Sequence, residues 1–84
     1  MNNKLNILYF ASIRDTLGTS EESIILDEPM NVRQIKDILL TRSGKWQIFA
    51  KDNILAAINH EMAKDEAKVK NGDELGFFPP VTGG

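Results

Sequence analysis

Residues 31–44 read NVRQIKDILLTRSG, and this stretch predicts the helix on which the fold is built. Asn31 has the side chain of an N-cap, and Gln34 stands three residues later, as in a capping box. Met30, just before the cap, is placed to pack against Ile35 as a hydrophobic staple. These signals fix the start of a helix that begins after Asn31.

The predicted helix has one apolar and one charged face. The apolar positions recur at helical spacing: Val32, Ile35, Ile38 and Leu39. The charged ends of the remaining side chains are expected to reach water: Arg33, Lys36, Asp37 and Arg42. Gly44 is expected as the C′ residue that ends the helix with a positive φ. Trp46 and Phe49, which follow, are expected to seal the core beneath the helix end.

Strand patterns surround this helix, at residues 4–11, 22–27, 54–59 and 74–78, with brief extended pieces at 62–63 and 67–69. The first strand is apolar on both faces, which favours a central place in the sheet. Ser12 is expected to cap a short helical turn that Gly18 ends. In the last strand, alternation places Phe77 in the core and Phe78 on the opposite face.

The element order is β, β, α, β, short β, β, with one helix over a sheet face. This order is typical of the β-grasp, an α+β fold in which the first and last strands commonly lie side by side. The expected architecture is a mixed sheet of about five strands with one main helix on one face. Residues 1–80 are predicted to form this domain, and residues 81–84 a flexible Gly-Gly tail.

Composition narrows the class of protein. A chain of 84 residues forms one domain. A net charge of −2 argues against nucleic-acid binding, which a basic face normally supports. The apolar runs are too short for a membrane span, and the N-terminus has no signal-peptide pattern. With no Cys, the chain fits a reducing, cytoplasmic location.

The last residues, 77–84, read FFPPVTGG and predict the functional segment. The two prolines cannot donate ladder hydrogen bonds, so sheet pairing should stop after Phe78. The four residues beyond them can extend by roughly 13 Å, and the two glycines keep the tip narrow. A groove in a partner protein can admit this narrow tail, which consists of Val81, Thr82, Gly83 and Gly84. Phe78, Pro79 and Pro80 are predicted to dock that partner.

The side chains offer little catalytic machinery. His60 is the lone histidine, no serine has a base at a recognisable spacing, and no phosphate-binding glycine loop is present. No metal-ligand spacing is evident either. The remaining reactive group is the terminal carboxylate of Gly84, which needs conversion to a mixed anhydride with AMP by a separate enzyme. The chain is therefore predicted to be a substrate and carrier that binds no cofactor or metal itself.

Residues 77–84, preceded by Asn71 to Glu74 and supported by residues 55–59, 9–11 and Arg14, resemble the small subunit of molybdopterin synthase. This family consists of ubiquitin-like sulfur carriers of molybdenum cofactor biosynthesis. The resemblance implies that a ubiquitin-activating-like adenylating enzyme uses ATP to activate Gly84. A sulfur donor protein then provides the sulfur of a thiocarboxylate, which the tail carries into the large subunit.

The resemblance also implies the acceptor and the assembly. The acceptor is a cyclic pyranopterin monophosphate, which receives two sulfurs to become molybdopterin. The catalytic side chains belong to the large subunit, and the expected assembly is a symmetric heterotetramer with one carrier at each end.

Three alternatives remain open from the residues. A sulfur carrier for thiamine synthesis or tRNA thiolation also ends in Gly-Gly, without the Phe-Phe-Pro-Pro run expected here. A ubiquitin-like modifier uses the activated terminus to form isopeptide bonds with lysines. A plain binding module has an idle tail.

Overall fold

The computed structural model describes residues 3–50 and 53–80 of the chain. Its elements, in chain order, are β1 (Leu5–Tyr9), α1 (Ala11–Leu17), β2 (Glu21–Ile24), β3 (Met30–Asn31), α2 (Val32–Leu40), a 3₁₀ helix (Gly44–Ala50), β4 (Leu55–Ile58), β5 (Glu61–Ala63), β6 (Lys68–Val69) and β7 (Glu74–Phe78). Within these residues no helix has the length and apolar character needed to cross a membrane.

The main sheet has five strands in the order β2-β1-β7-β4-β5. β1 and β7, the first and last strands, pair in parallel, whereas the other three pairings are antiparallel. The helices pack on the sheet, and β3 and β6 form a separate two-stranded sheet. This is the ubiquitin-like β-grasp architecture, so the predicted fold class is confirmed.

The core lies between α2 and one face of the sheet. Its centre consists of side chains no more than 1% exposed: Leu5, Ile7, Tyr9, Val32, Ile35, Leu39, Leu75 and Phe77. The strand residues in this set alternate, and the helix residues follow the apolar stripe, as predicted. Phe49 of the 3₁₀ helix packs edge-on against Phe77, with ring centroids 5.0 Å apart. The aromatic segment therefore does seal the core.

The first strand is shorter than predicted. It ends at Tyr9, and the chain turns into α1 at Ala11, although the Phe10 N–H still donates to the Phe77 carbonyl at 3.0 Å. β1 is central, since it pairs with β2 and β7, but only one of its faces is buried.

Ser12 is not the N-cap of α1. Phe10 holds that position without a side-chain hydrogen bond, because the turn follows directly from the last sheet contact. Gly18 ends α1 as predicted, with φ 74°.

The start of α2 agrees with the sequence, whereas its end does not. Asn31 and Gln34 form the reciprocal capping box. The helix ends at Leu40 with Thr41 as C-cap, so Gly44 is not C′, although its φ of 60° is positive. The reason is that Thr41 Oγ1 donates to the Ile38 carbonyl at 2.6 Å, and the Leu40 carbonyl accepts from the Ser43 N–H. These bonds satisfy the last turn without a glycine cap.

Lys36 was predicted to reach water, and this is wrong. Its side chain is buried, and its Nζ donates to the Ile54 carbonyl at 3.2 Å and to Asp65 Oδ1 at 2.9 Å. Helical periodicity could not reveal this, because the two acceptors come from residues far along the chain that cover the flank of α2. The ammonium thereby ties α2 to the start of β4 and to the turn before β6.

A polar cluster closes the core at the β2 edge. Arg42 makes a bidentate pair with Glu22, with both N–O distances 2.7 Å, and its guanidinium lies 4.5 Å from the Trp46 ring centroid. The Tyr9 hydroxyl donates to the same carboxylate at 2.7 Å. Hydrogen bonds from Arg42, helped by Tyr9, hold the pKa of Glu22 below its usual value although burial opposes them. Burial and the neighbouring carboxylate raise the pKa of Tyr9.

We expect Glu22→Gln to lower the free energy of unfolding near pH 7 by about 1 kcal/mol, since it replaces a charged acceptor in a partly exposed pair. The depressed pKa of Glu22 means that its contribution is present above the unfolded-state value, about 4.3, and is lost as the pH falls through the folded-state value. Urea unfolding of both proteins from neutral to acidic pH should therefore show the difference shrinking on acidification. Glu21→Gln, on the exposed neighbour, is the control. A difference that does not change with pH would contradict this.

Candidate functional site

The C-terminal segment leaves from the middle of the sheet. β7 pairs with β1 on one side and β4 on the other, and it ends at Phe78, directly before the prolines. Pro79 and Pro80 are half-buried. The predicted carrier residues Val81, Thr82, Gly83 and Gly84 lie outside the described residues. The structure therefore describes the base from which the tail departs.

The far end of β7 is fixed by Asp73. Its Oδ1 accepts from the Asn59 side-chain amide at 3.0 Å, and its Oδ2 accepts from the Lys70 N–H at 2.9 Å. Burial raises the pKa of Asp73, but these hydrogen bonds outweigh it and hold the pKa below the usual value. Asn59 also accepts from the Glu74 N–H at 3.0 Å. The carboxylate thus locks the turn that begins β7, and with it the strand register.

The sheet face opposite α2 carries an apolar surface, which we call the outer apolar face. Strand pairing sets Leu8 beside Gly76, Gly76 beside Ala57, and Ala57 beside Met62. Leu55 pairs with Phe78 in the next row toward the tail. Phe10 and Met62 are exposed by 44% and 64%. The outer apolar face is made of Leu8, Phe10, Leu55, Ala57, Met62, Gly76 and Phe78.

An aromatic pair dominates this face at the tail end. The rings of Phe10 and Phe78 meet edge to face, with centroids 6.2 Å apart. Gly76 is buried beneath Phe10: a Cβ added there would lie 2.9 Å from the Phe10 ring carbon Cε2. Glycine therefore allows the ring to lie against the strand backbone. Phe10 was not among the predicted docking residues, although alternation from Leu8 placed it on the same outer face.

A small cavity lies beside the base of the tail. It measures about 140 Å³ and is bounded by α1, the 3₁₀ helix, the start of β4 and the two prolines. Its lining comprises Ser12, Ile13, Ile48, Asn53, Ile54, Pro79 and Pro80. The prolines predicted as docking residues thus form one wall of a largely apolar recess. Sequence patterns could not predict this recess, because four separate segments build it.

Potential catalytic side chains are not gathered near the tail in the part of the chain that is described. His60 lies beside Glu74, with Nε2 3.5 Å from its carboxylate oxygen, at the end of β7 away from Phe78. Among residues 3–50 and 53–80, no three His, Asp or Glu side chains are grouped so that they could hold a metal ion. The described surface around the tail therefore offers apolar contact.

The chain is similar to three known proteins, one compared by sequence and two compared by structure. The molybdopterin synthase sulfur carrier subunit of Haemophilus influenzae is 39% identical over 82 residues, covering 95% of this chain and 99% of the relative. SAMP1, small archaeal modifier protein 1 of Haloferax volcanii, is 25% identical with a TM-score of 0.78, covering 96% of this chain and 99% of that one. A Helicobacter pylori complex of subunits 1 and 2 of molybdopterin-converting factor contains a similar fold, at 18% identity and TM-score 0.67, covering 96% of this chain and 99% of that one.

The β-grasp fold and the similar solved structures define a small ubiquitin-like protein. Residues 7–84 match the model of the ThiS family. The chain belongs to the ThiS family. The resemblance to molybdopterin synthase small subunits, first seen in residues 77–84, is confirmed by the curated relative of that name.

The close approach of Phe10 to Gly76 predicts an energetic coupling between them. Gly76→Ala should lower the free energy of unfolding by about 1 kcal/mol, the low end for overpacking, because the exposed ring can swing away. In a Phe10→Ala background the same substitution should be neutral or stabilising, since an alanine in a strand avoids the entropic cost of glycine. Denaturant unfolding of the four proteins measures the coupling. Equal effects of Gly76→Ala in both backgrounds would show that the ring does not require the glycine.

Proposed function

We propose that this protein is the sulfur carrier subunit of a molybdopterin synthase. The observation that carries the proposal is the near full-length match, at 39% identity, to a curated protein of that name. The site agrees with it, since the central strand β7 ends at Phe78, which pairs with the exposed ring of Phe10 on the outer apolar face. The domain would comprise residues 1–80, and residues 81–84 would be a flexible tail that enters the large subunit.

The chemistry proposed for the tail takes place at Gly84. The carboxylate attacks the α-phosphate of ATP on an adenylating enzyme, which releases pyrophosphate and leaves an acyl-adenylate. A donor protein supplies sulfur at the oxidation level of sulfide, which attacks the acyl carbonyl and displaces AMP, so the terminus becomes a thiocarboxylate without a change of oxidation state. In the large subunit the thiocarboxylate sulfur forms a bond to a carbon of a cyclic pyranopterin monophosphate, and water cleaves the acyl–sulfur bond, which restores the Gly84 carboxylate. Two such deliveries, each exchanging an acceptor oxygen for sulfur, form the dithiolene of molybdopterin.

This chain would contribute positioning and no catalysis of its own. ATP is used by the activating enzyme, so the carrier needs no bound cofactor. The proposed location is the cytoplasm, because a protein without Cys does not depend on an oxidising compartment for disulfide bonds. The large subunit would supply the catalytic side chains, in a heterotetramer with one carrier at each end.

The outer apolar face is the proposed docking surface for the large subunit. Phe78 and Phe10 stand on this face where the tail begins, so a partner that receives the tail also meets the two rings. Aromatic side chains in such a position are typical anchors of protein interfaces. Glu21 is paired across from Leu8 and is exposed, and a basic residue of the partner can be steered toward it.

A protein modifier is the second candidate, and the similarity to SAMP1 favours it. Both functions need activation of Gly84, and they differ in what attacks the activated carbonyl. A sulfur nucleophile yields a thiocarboxylate, whereas a lysine amine yields an isopeptide bond. Immunoblots of the protein in its host would show discrete conjugates for a modifier and free protein for a carrier.

The proposed chemistry predicts a change in intact mass. After incubation with ATP, a sulfur source and the host adenylating enzyme, the full chain should gain the mass difference between sulfur and oxygen. A variant lacking Gly84 and a variant extended by one residue after Gly84 should gain nothing, because the activated carboxylate is displaced from its position. If the full chain gains no mass while the enzyme is active on ATP, the sulfur-carrier function is wrong.

The docking surface predicts which apolar residues matter for assembly. Phe78→Ser should weaken binding to the large subunit at least about tenfold, since it removes a central aromatic contact. Ile25→Ser is the matched control, because Ile25 is 68% exposed and follows β2 at the opposite end of the sheet from the tail. Isothermal titration calorimetry measures both affinities. Equal affinity for the two variants would remove Phe78 from the interface.

A further inference from the structure

The cavity beside the tail base has the size and chemistry of a side-chain pocket. Its volume is about 140 Å³, and an apolar protein cavity of about 150 Å³ accommodates benzene. Three isoleucines and two prolines supply apolar walls, and the polar residues Ser12 and Asn53 are both exposed. One aliphatic side chain of the size of leucine therefore suits the recess.

The walls of this pocket are held in place before any partner arrives. Ile13 is 1% exposed and Ile54 is 6% exposed, so both are anchored in the core. The carbonyl of Ile54 accepts from buried Lys36, which fixes the chain entering β4. Pro79 and Pro80 have a restricted φ. A preformed pocket adds affinity because little ordering is needed on binding.

The position of the pocket indicates which protein fills it. Four residues follow Pro80, and fully extended they reach roughly 13 Å. A partner that brings the terminal carboxylate to an enclosed reaction centre must surround the tail almost from its first residue. Such a partner therefore abuts Pro79 and Pro80, and these residues are one wall of the pocket. The outer apolar face adjoins the same prolines, because Phe78 directly precedes them, so one partner can cover the face and the pocket together.

We propose that this pocket receives one aliphatic side chain of the molybdopterin synthase large subunit when the tail is inserted. The inference rests on the proposed function and adds a second contact to it, separate from the outer apolar face. The aromatic pair holds the sheet against the partner, and the pocket fixes the direction in which the tail leaves. The second contact sets the position of the start of the tail relative to the partner, because a tail of four residues is too short to compensate for a displacement there.

The test blocks the pocket by placing a larger side chain at its rim. Ser12 is exposed on α1, so Ser12→Phe can place a ring over the cavity without disturbing the core. Thr16→Phe is the matched control, because Thr16 is an exposed hydroxyl residue one turn further along α1 and is not among the lining residues. Calorimetry with the large subunit of the same organism should show affinity reduced at least about tenfold for Ser12→Phe relative to Thr16→Phe. Thermal melts establish that both variants are folded.

The outcomes separate this inference from the proposed function. Thiocarboxylate formation by Ser12→Phe with the adenylating enzyme, measured by intact mass, together with weakened large-subunit binding supports the pocket. Normal thiocarboxylate formation with unchanged binding overturns the pocket and leaves the sulfur-carrier function standing. Slower thiocarboxylate formation with unchanged binding assigns the pocket to the activating enzyme, and our assignment is then wrong. Failure of the unaltered protein to form a thiocarboxylate overturns the function itself.

Methyl NMR tests the occupant without any substitution. The signals of Ile13, Ile48 and Ile54 should shift when the large subunit is added to the full chain. The same signals should be unchanged in the free protein when residues 81–84 are removed. If that truncation alone shifts all three, the occupant is the chain's own tail, and the proposal is wrong.

Discussion

The parallel pairing of β1 with β7 is the constraint on which the rest of the structure depends. It brings the two ends of the domain together, so that Tyr9 and Phe77 stack in the core with ring centroids 6.4 Å apart. Because β4 pairs with the other side of β7, the last strand is buried on both edges. Pairing on both edges of β7 therefore gives a rigid base at Phe78, the residue directly before the two prolines.

The same pairing also creates the outer surface. Once Phe77 faces the core, Gly76 and Phe78 must face outward, and parallel register brings Phe10 over the glycine. A larger residue at position 76 would displace the ring. The contact between the Phe10 and Phe78 rings is thus a consequence of the strand register. One face of β7 contributes to the core, and its opposite face contributes to the proposed docking surface.

Polar side chains, buried at two places and partly exposed at the third, fix the remaining geometry around the sheet. Asp73 locks the turn before β7, Lys36 ties α2 to the start of β4, and the Arg42–Glu22 pair closes the β2 edge over Tyr9. None of these groups is left without a partner, since every buried side-chain nitrogen or oxygen in the described residues has a hydrogen bond. In a domain this small, such satisfied polar contacts specify one arrangement of a limited core.

The sequence by itself determined the β-grasp order, the capping box of Asn31 and Gln34, the core face of β7 and the family, because these depend on local periodicity, cap chemistry and a contiguous terminal motif. Tertiary structure alone decided that Lys36 is buried, that β3 pairs with β6, and that Phe10 lies on Gly76. It alone also built the recess at Pro79 and Pro80. The physical reason is that each of these features joins residues distant in the chain, and only the folded sheet brings their side chains within contact.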